Sequence, residues 1–524
     1  MEQQPRIRWP ELVRELASFS SMTQLGKSVG VTQKEVKRWQ DGKAKPQGGH
    51  AQALLQECDR LNVNWRKFAG LSPVYDFAAG YDRNVREGPK NLPTAIEGWL
   101  PRVPASLWDK DLNSPLGVPA SALTINSQWI GPLARLGFDV ITAKTCRTSA
   151  KPAHPLPNVV YIPSLIDPVA LARMPHALVG SHDLPREEVA ALTLANSFGM
   201  PSVDPSVWRE DLRRSVALLH EDEGQVLIAS VVGTADDAGD DLIGDFVECA
   251  KLAAACEPDA IELNFSCPNV YGREGSIYHD ARTAADICAQ TRAALPSTRI
   301  LVKIGYLVGS ELEGFVSATY QHVDGYTAIN TVAAQVLSEG QNAVQIFPGD
   351  KRATAGISGV AIRQYALETV RQLRMLLSKK RPDLAIIGVG GIATAEHAKE
   401  MLKAGANVVQ ICSAALLNPL IAAEIRSAMT TDHDVPRKAR SVTGTFMFDE
   451  PWIAKSFERA NEVSRRLNVP FHEVWRSVDA HFLGVVEAER FSASSVQKTR
   501  IDAPGFDQIR EWVLNDAKKK NRHS

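Results

Sequence analysis

Ile261-Glu262-Leu263-Asn264-Phe265-Ser266-Cys267-Pro268-Asn269-Val270 decides how the rest of the chain is read. An apolar strand runs into Asn264, and Ser266, Cys267, Pro268 and Asn269 follow at once. Two carboxamides around one thiol make a poor core. They suit a small planar polar ligand, because each carboxamide offers two donors and an acceptor in one plane. The thiol beside them can exchange a proton near neutral pH when its surroundings tune it. The bland alternative is a plain strand followed by a Pro-Asn turn.

Working outward, the pattern recurs. Lys303 is the single charge in the apolar run 300–305. Lys144-Thr145 closes the run 140–145, and Asn330-Thr331 closes 326–331. Gly356-Ile357-Ser358-Gly359, Gly388-Val389-Gly390-Gly391 and Cys412-Ser413 follow. Polar residues at the C-terminal ends of successive strands predict an α/β fold, a (β/α)8 TIM barrel with its active site at that end. Barrel strands are expected near 116–121, 138–145, 225–232, 260–266, 299–305, 325–330, 384–389 and 407–412. Helical spacing lies between them, as in 130–136, 208–220, 281–294 and 395–404. Strands two and three are separated by about eighty residues where short connections are the rule. An insertion over about 163–195 is therefore expected, with 163–190 as extra cover over the site.

The flanks read differently. Residues 9–19, 21–28 and 32–40 have helical spacing, Gly30 supplies a tight turn, and Thr32 is a candidate N-cap. Leu25, Val29, Val36 and Trp39 would form the core of this small unit. Residues 73–111 are rich in Gly and Pro with little periodicity and read as a linker. Residues 431–524 read as a helical extension with amphipathic helices over 452–467, 471–482 and 506–517. Its basic end, 518–522, reads as a solvated helix end. The expected organisation is 1–72, 73–111, 112–430 and 431–524.

A chain of 524 residues has room for several domains, and its formal net charge of −1 gives no global pull toward nucleic acid or anionic membrane. None of the seven cysteines is in CxxC spacing, so neither a cluster, a structural metal nor a disulfide framework is indicated, and a cytoplasmic setting is expected. The N-terminus does not read as a signal peptide. The longest apolar stretch, 405–423, is broken by Asn407, Gln410, Asn418 and Pro419, so no membrane span is expected.

On these motifs, residues 112–420 resemble the FMN-dependent dihydroorotate dehydrogenases and the pyrimidine-reducing domain of dihydropyrimidine dehydrogenase. Asn264-Phe-Ser-Cys-Pro-Asn269 resembles the family's catalytic loop, which implies Cys267 as the proton acceptor or donor. Lys144 and Lys303 resemble its two lysines, with Lys303 beside the flavin. Leu194-Ala-Asn-Ser-Phe-Gly-Met-Pro201 resembles its substrate loop. The resemblance implies FMN as cofactor and a pyrimidine as substrate, with hydride passing between substrate C6 and flavin N5 and a proton exchanged at C5. Substrate contacts would come from Lys144, Asn196, Phe198, Gly199, Met200, Asn264, Asn269, Asn330 and Thr331. Ala120, Ser121, Lys144, Thr145, Asn264, Lys303 and Ile329 would meet the flavin. Ser358, Gly359, Gly390, Gly391, Cys412 and Ser413 would complete its site, the last four toward the phosphate. Residues 270–280 would form a lid hinged at Gly272 and Gly275. The membrane-bound class of the family carries a hydrophobic anchor and a serine base, and neither is seen here.

Dihydroorotate is the leading substrate. Three alternatives stay open. The 356–359 and 409–414 stretches lean toward dihydropyrimidine dehydrogenase acting on uracil or thymine. A tRNA dihydrouridine synthase is also a flavin barrel with a catalytic cysteine. Residues 23–46 resemble phage-repressor helix-turn-helix proteins, which would make the chain a DNA-binding regulator with a flavin sensor, contacting DNA through Gln33, Lys34, Lys37 and Arg38. The electron acceptor or donor, a partner flavoprotein among the options, is not named by the sequence, and a homo-oligomer is expected.

Overall fold

The computed structural model describes residues 9–47, 49–61, 63, 73–92, 100–162, 178–182, 189–220, 224–234, 241–266, 276–339, 343–349 and 352–431. Eight strands close into a parallel barrel: β1 (Leu116–Val118), β2 (Val140–Cys146), β3 (Val226–Val231), β4 (Ala260–Asn264), β5 (Ile300–Ile304), β6 (Gly325–Ala328), β7 (Ala385–Val389) and β8 (Val408–Gln410). They pair in chain order around the ring, β8 closing on β1 through Val409↔Leu116 and Gln410↔Gly117. All eight were expected, each within a few residues of its observed ends. The strands are near-continuous apolar runs because one face packs on helices and the other fills the barrel. Inside, Val140, Ile228, Ala260, Leu301, Ile387 and Val408 share one core with Leu107 and Leu112.

Those last two leucines correct one expectation. The segment 73–111 contains a helix, Tyr81–Glu87, and an antiparallel hairpin, Ala105–Leu107 with Lys110–Leu112. The hairpin puts its leucines into the core at the N-terminal ends of the strands, so this part of the segment is structure rather than linker. A second correction concerns Gly356–Gly359. It is not a barrel strand tip. Ala355–Gly359 lies in a four-stranded antiparallel sheet with Val159–Ile162, Thr193–Asn196 and Val332–Ala334. This sheet gathers segments that follow β2 and β6 and holds the Asn196 loop beside the barrel's C-terminal end. The 163–190 cover is described only at 178–182 and 189–190. The 452–467, 471–482 and 506–517 helices and the 518–522 run lie outside the described residues.

Near the N-terminus, α1 (Trp9–Phe19), α2 (Met22–Ser28) and α3 (Gln33–Gln40) fall where expected, followed by an unforeseen α4 (Gly49–Arg60). Leu25, Val29, Val36 and Trp39 are buried together with Leu12, Leu16 and Leu54. The α2–α3 turn is tight for two reasons. Gly30 takes φ +76°, and a Cβ at Gly26 would stand 2.8 Å from the Val31 carbonyl oxygen. Thr32 caps α3 by accepting from the Glu35 N–H.

Candidate active site

A cleft of about 1200 Å³, including its open mouth, lies at the C-terminal ends of the barrel strands. Every residue expected at the cofactor lines it: Ala120 and Ser121 after β1, Lys144 and Thr145 on β2, Asn264 on β4 and Lys303 on β5, then Ile329, Ser358, Gly359, Gly390, Gly391, Cys412 and Ser413. Of the expected substrate residues, Asn196, Phe198, Met200, Asn330 and Thr331 also line it. Gly199 does not. It turns the chain at φ +78°, where a Cβ would stand 2.5 Å from the His154 ring. Cys267, Asn269, Gly272 and Gly275 lie outside the described residues.

The carboxamides are held by the protein. Asn264 donates to Thr145 Oγ1 at 3.1 Å and accepts from the Ser266 N–H at 3.3 Å, and Thr145 in turn meets Ser230 Oγ at 3.0 Å. Asn330 donates to the Ser266 carbonyl and accepts from the Thr331 N–H at 2.9 Å. Asn196 donates to the Gly356 carbonyl at 2.9 Å, which ties the substrate loop to the small sheet. A carboxamide fixed at one edge presents its other edge in a set direction.

Two buried guanidinium groups fix the 197–200 loop. Arg352 donates to Ser197 Oγ at 3.0 Å and to the Ser197 carbonyl at 3.1 Å, and also reaches the Pro155 and Pro157 carbonyls. Arg147 donates to the Met200 carbonyl at 3.2 Å. Burial holds the His154 imidazole below its ordinary value, with Arg352 and Lys151 adding to the effect.

Lys303 is 3% exposed, and no carboxylate pairs with it among the described residues. Burial raises the Cys412 thiol above its ordinary value, against opposing effects from Ser121 and Lys303. At the far side, Gly359, Gly390 and Gly391 all take positive φ. A Cβ at Gly391 would stand 2.8 Å from the Gly359 carbonyl oxygen and 2.6 Å from Arg363 Cβ. Glycine there opens a cradle of main chain in which backbone N–H groups can meet an anion. A buried cation and a side-chain-free cradle within one cleft fit a ligand that is anionic at one end and gains electrons at the other, as a flavin nucleotide does.

Sequence reasoning missed much of the wall. Pro119, Val159, Val189, Leu192 and Leu416 line the cleft and carry no motif. Gln410 had a signal: like Lys303, it is the one polar residue in an apolar strand.

The fold and cleft define a (β/α)8 enzyme of the small-molecule kind. A family model described as dihydroorotate dehydrogenase matches residues 103–431. A dihydroorotate dehydrogenase of Dictyostelium discoideum is 31% identical over 369 residues, covering 67% of this chain and 95% of that protein. The catalytic subunit of a dihydroorotate dehydrogenase B (NAD(+)) from Trichlorobacter lovleyi is 33% identical over 188 residues, 35% of this chain and 58% of that one. Among solved structures, ligand-free dihydroorotate dehydrogenase from Eimeria tenella aligns with a TM-score of 0.50 at 17% identity, over 66% of this chain and 91% of that one, and supports the fold. The chain belongs to the dihydroorotate dehydrogenase family. It is thereby an oxidoreductase acting on CH–CH groups, in a family of flavoproteins. These relatives do not favour the uracil-reducing or tRNA-reducing alternatives.

Proposed function

We propose that the protein oxidises dihydroorotate to orotate with FMN bound in the cleft. The observation that carries this is Lys303, a buried cation without a carboxylate partner among the described residues, in one cleft with the glycine cradle and three oriented carboxamides. FMN bound there would supply hydride acceptance. Gly359, Gly390, Gly391 and Ser413 would hold its phosphate end, and Lys303 would offer positive charge to the negative charge that builds as the substrate is oxidised. Asn196, Asn264 and Asn330 would bind the pyrimidine's carbonyl and N–H edges and set its orientation. Lys144 would meet the substrate carboxylate. Cys267 would take the proton from C5, acting as a thiolate or losing its own proton in concert. No helix of the described residues is long and apolar enough to cross a membrane.

The test is anaerobic. Protein loaded with FMN is mixed in turn with dihydroorotate, dihydrouracil and dihydrothymine, and the flavin band is followed. Dihydroorotate is expected to bleach it. Bleaching by dihydrouracil alone overturns the substrate, and failure to bind FMN overturns the whole reading.

For the N-terminal unit, the exposed face of α3 favours a duplex-DNA contact. Gln33, Lys34, Lys37 and Arg38 are all exposed there, although Lys37 pairs with Asp41 at 3.1 Å and Arg38 with Glu35 at 2.9 Å. Phosphates would have to displace those acids, and a dimer would have to present two such helices. A salt-dependent mobility shift that Lys34→Ala and Arg38→Ala weaken is expected. Equal, negligible binding by parent and variants removes the idea.

A further inference from the structure

Beneath the cleft floor lies a polar layer that the proposed chemistry does not use. Barrel interiors stack in layers of four side chains drawn from alternate strands. Asn264 lines the cleft, so Glu262, two residues earlier on β4, also points inward. Thr327 on β6 is in register with Lys303, which lines the cleft, and so faces inward with it. Gln410 on β8 lines the cleft directly. Thr142 on β2 accepts from Gln410 Nε2 at 2.8 Å. The register Thr142↔Ile228↔Ala260 and Glu262↔Leu301↔Gly325 steps by two residues from each of these strands to the next, as a tilted barrel requires. Thr142, Glu262, Thr327 and Gln410 therefore form one layer. Advancing by the same step places Lys303 in the layer above.

All four are at most 1% exposed. Among the described residues, both carboxylate oxygens of Glu262, Thr327 Oγ1 and Gln410 Oε1 meet no hydrogen-bond partner. Buried polar groups of this density are normally bridged by ordered water. Lys303 likewise forms no ion pair with an acid among the described residues. A buried carboxylate and a buried ammonium in adjacent layers of one barrel stabilise each other's charge through the low-dielectric interior.

We propose that Glu262 is a positioning residue: the counter-charge of Lys303, coupled to it through water held by Thr142, Thr327 and Gln410. It offsets part of the positive charge that Lys303 presents to the cleft. It holds that lysine in place before substrate arrives, and it limits how strongly the floor attracts negative charge. This rests on FMN occupying the cleft.

The experiment uses FMN-loaded full-length parent, Glu262→Gln and Thr327→Val, each titrated with sulfite, a nucleophile whose binding to oxidised flavin leaves a negative charge over the floor. Glu262→Gln keeps size and hydrogen bonding but removes the charge, and it should bind sulfite tighter by roughly tenfold or more. Thr327→Val disturbs the same layer without changing charge, and it should stay within about threefold of the parent. Sulfite affinity unchanged or weakened in Glu262→Gln, or moved as far by Thr327→Val, overturns the proposal. If Glu262→Gln does not fold, the parent decides it. Its reduced-minus-oxidised infrared spectrum should contain a carboxyl band that moves on ¹³C-glutamate labelling, and a spectrum without one overturns the proposal. A parent that takes up no FMN refutes the flavin reading instead, so the two failures are distinct.

Discussion

At the N-terminal ends of the barrel strands, Asp139, Asp259 and Asp324 each stand one residue before a strand, β2, β4 and β6. Each has a cation: Arg426 at 3.1 Å from Asp139, Lys110 on Asp259 and Arg292 on Asp324. Two of them also accept a backbone N–H from the preceding strand, Leu227 at 2.8 Å and Ile300 at 2.7 Å. At the C-terminal ends stands Lys303, 3% exposed, with no carboxylate in direct contact among the described residues. The same residue classes thus do different jobs at the two ends. A charge whose partner is built in tightens the fold, and a charge without one is available to chemistry.

That contrast can be broken by exchange. Arg426→Met leaves Asp139, 1% exposed, without its cation, and should cost roughly 3–5 kcal/mol of stability with turnover unchanged. Urea unfolding beside steady-state kinetics measures both. Lys303→Met should do the opposite: turnover falls by roughly 10²–10³ while stability drops by clearly less than in Arg426→Met, because no direct ion pair is broken. A stability loss matching that of Arg426→Met would place Lys303 among the structural charges. Next in size is Gly391→Ala. With φ +67° and a Cβ 2.6 Å from Arg363 Cβ, it should weaken FMN binding by roughly tenfold or more, read by flavin fluorescence.

The smallest effect is a pH dependence. Burial lowers the His154 pKa below that of the unfolded chain, so the unfolded state takes up the proton first. This contribution is present above about pH 6.5 and is lost as pH falls below it. His154→Gln should flatten the fall in melting temperature between about pH 7 and pH 5. An unchanged slope would show that His154 does not couple acid to the loop.

The barrel was legible because its strands are largely apolar runs, most of which stop at a polar tip, a signal as strong at 300–305 as at 260–266. The hairpin at 105–112 was not, since three-residue strands are too short to alternate. The small sheet was hidden for a related reason. Val332–Ala334 and Ala355–Gly359 are poor strand formers by composition and are strands because of what they pair with. Helix α4 went unread because the sequence before and at its start, Gly48-Gly49-His50, carries none of the usual capping residues. At the cleft, polar residues were found and apolar walls were not, because Val189 or Leu192 looks the same lining a cavity as filling a core.

The hydrogen bond from Asn196 to Gly356 joins residues 160 positions apart. A ribosome must therefore deliver the chain through the strand Ala355–Gly359 before the substrate loop has its anchor. Contacts so distant in sequence form late and slowly. The cleft should thus be among the last parts to mature during synthesis, with cofactor capture following closure of the barrel instead of nucleating it.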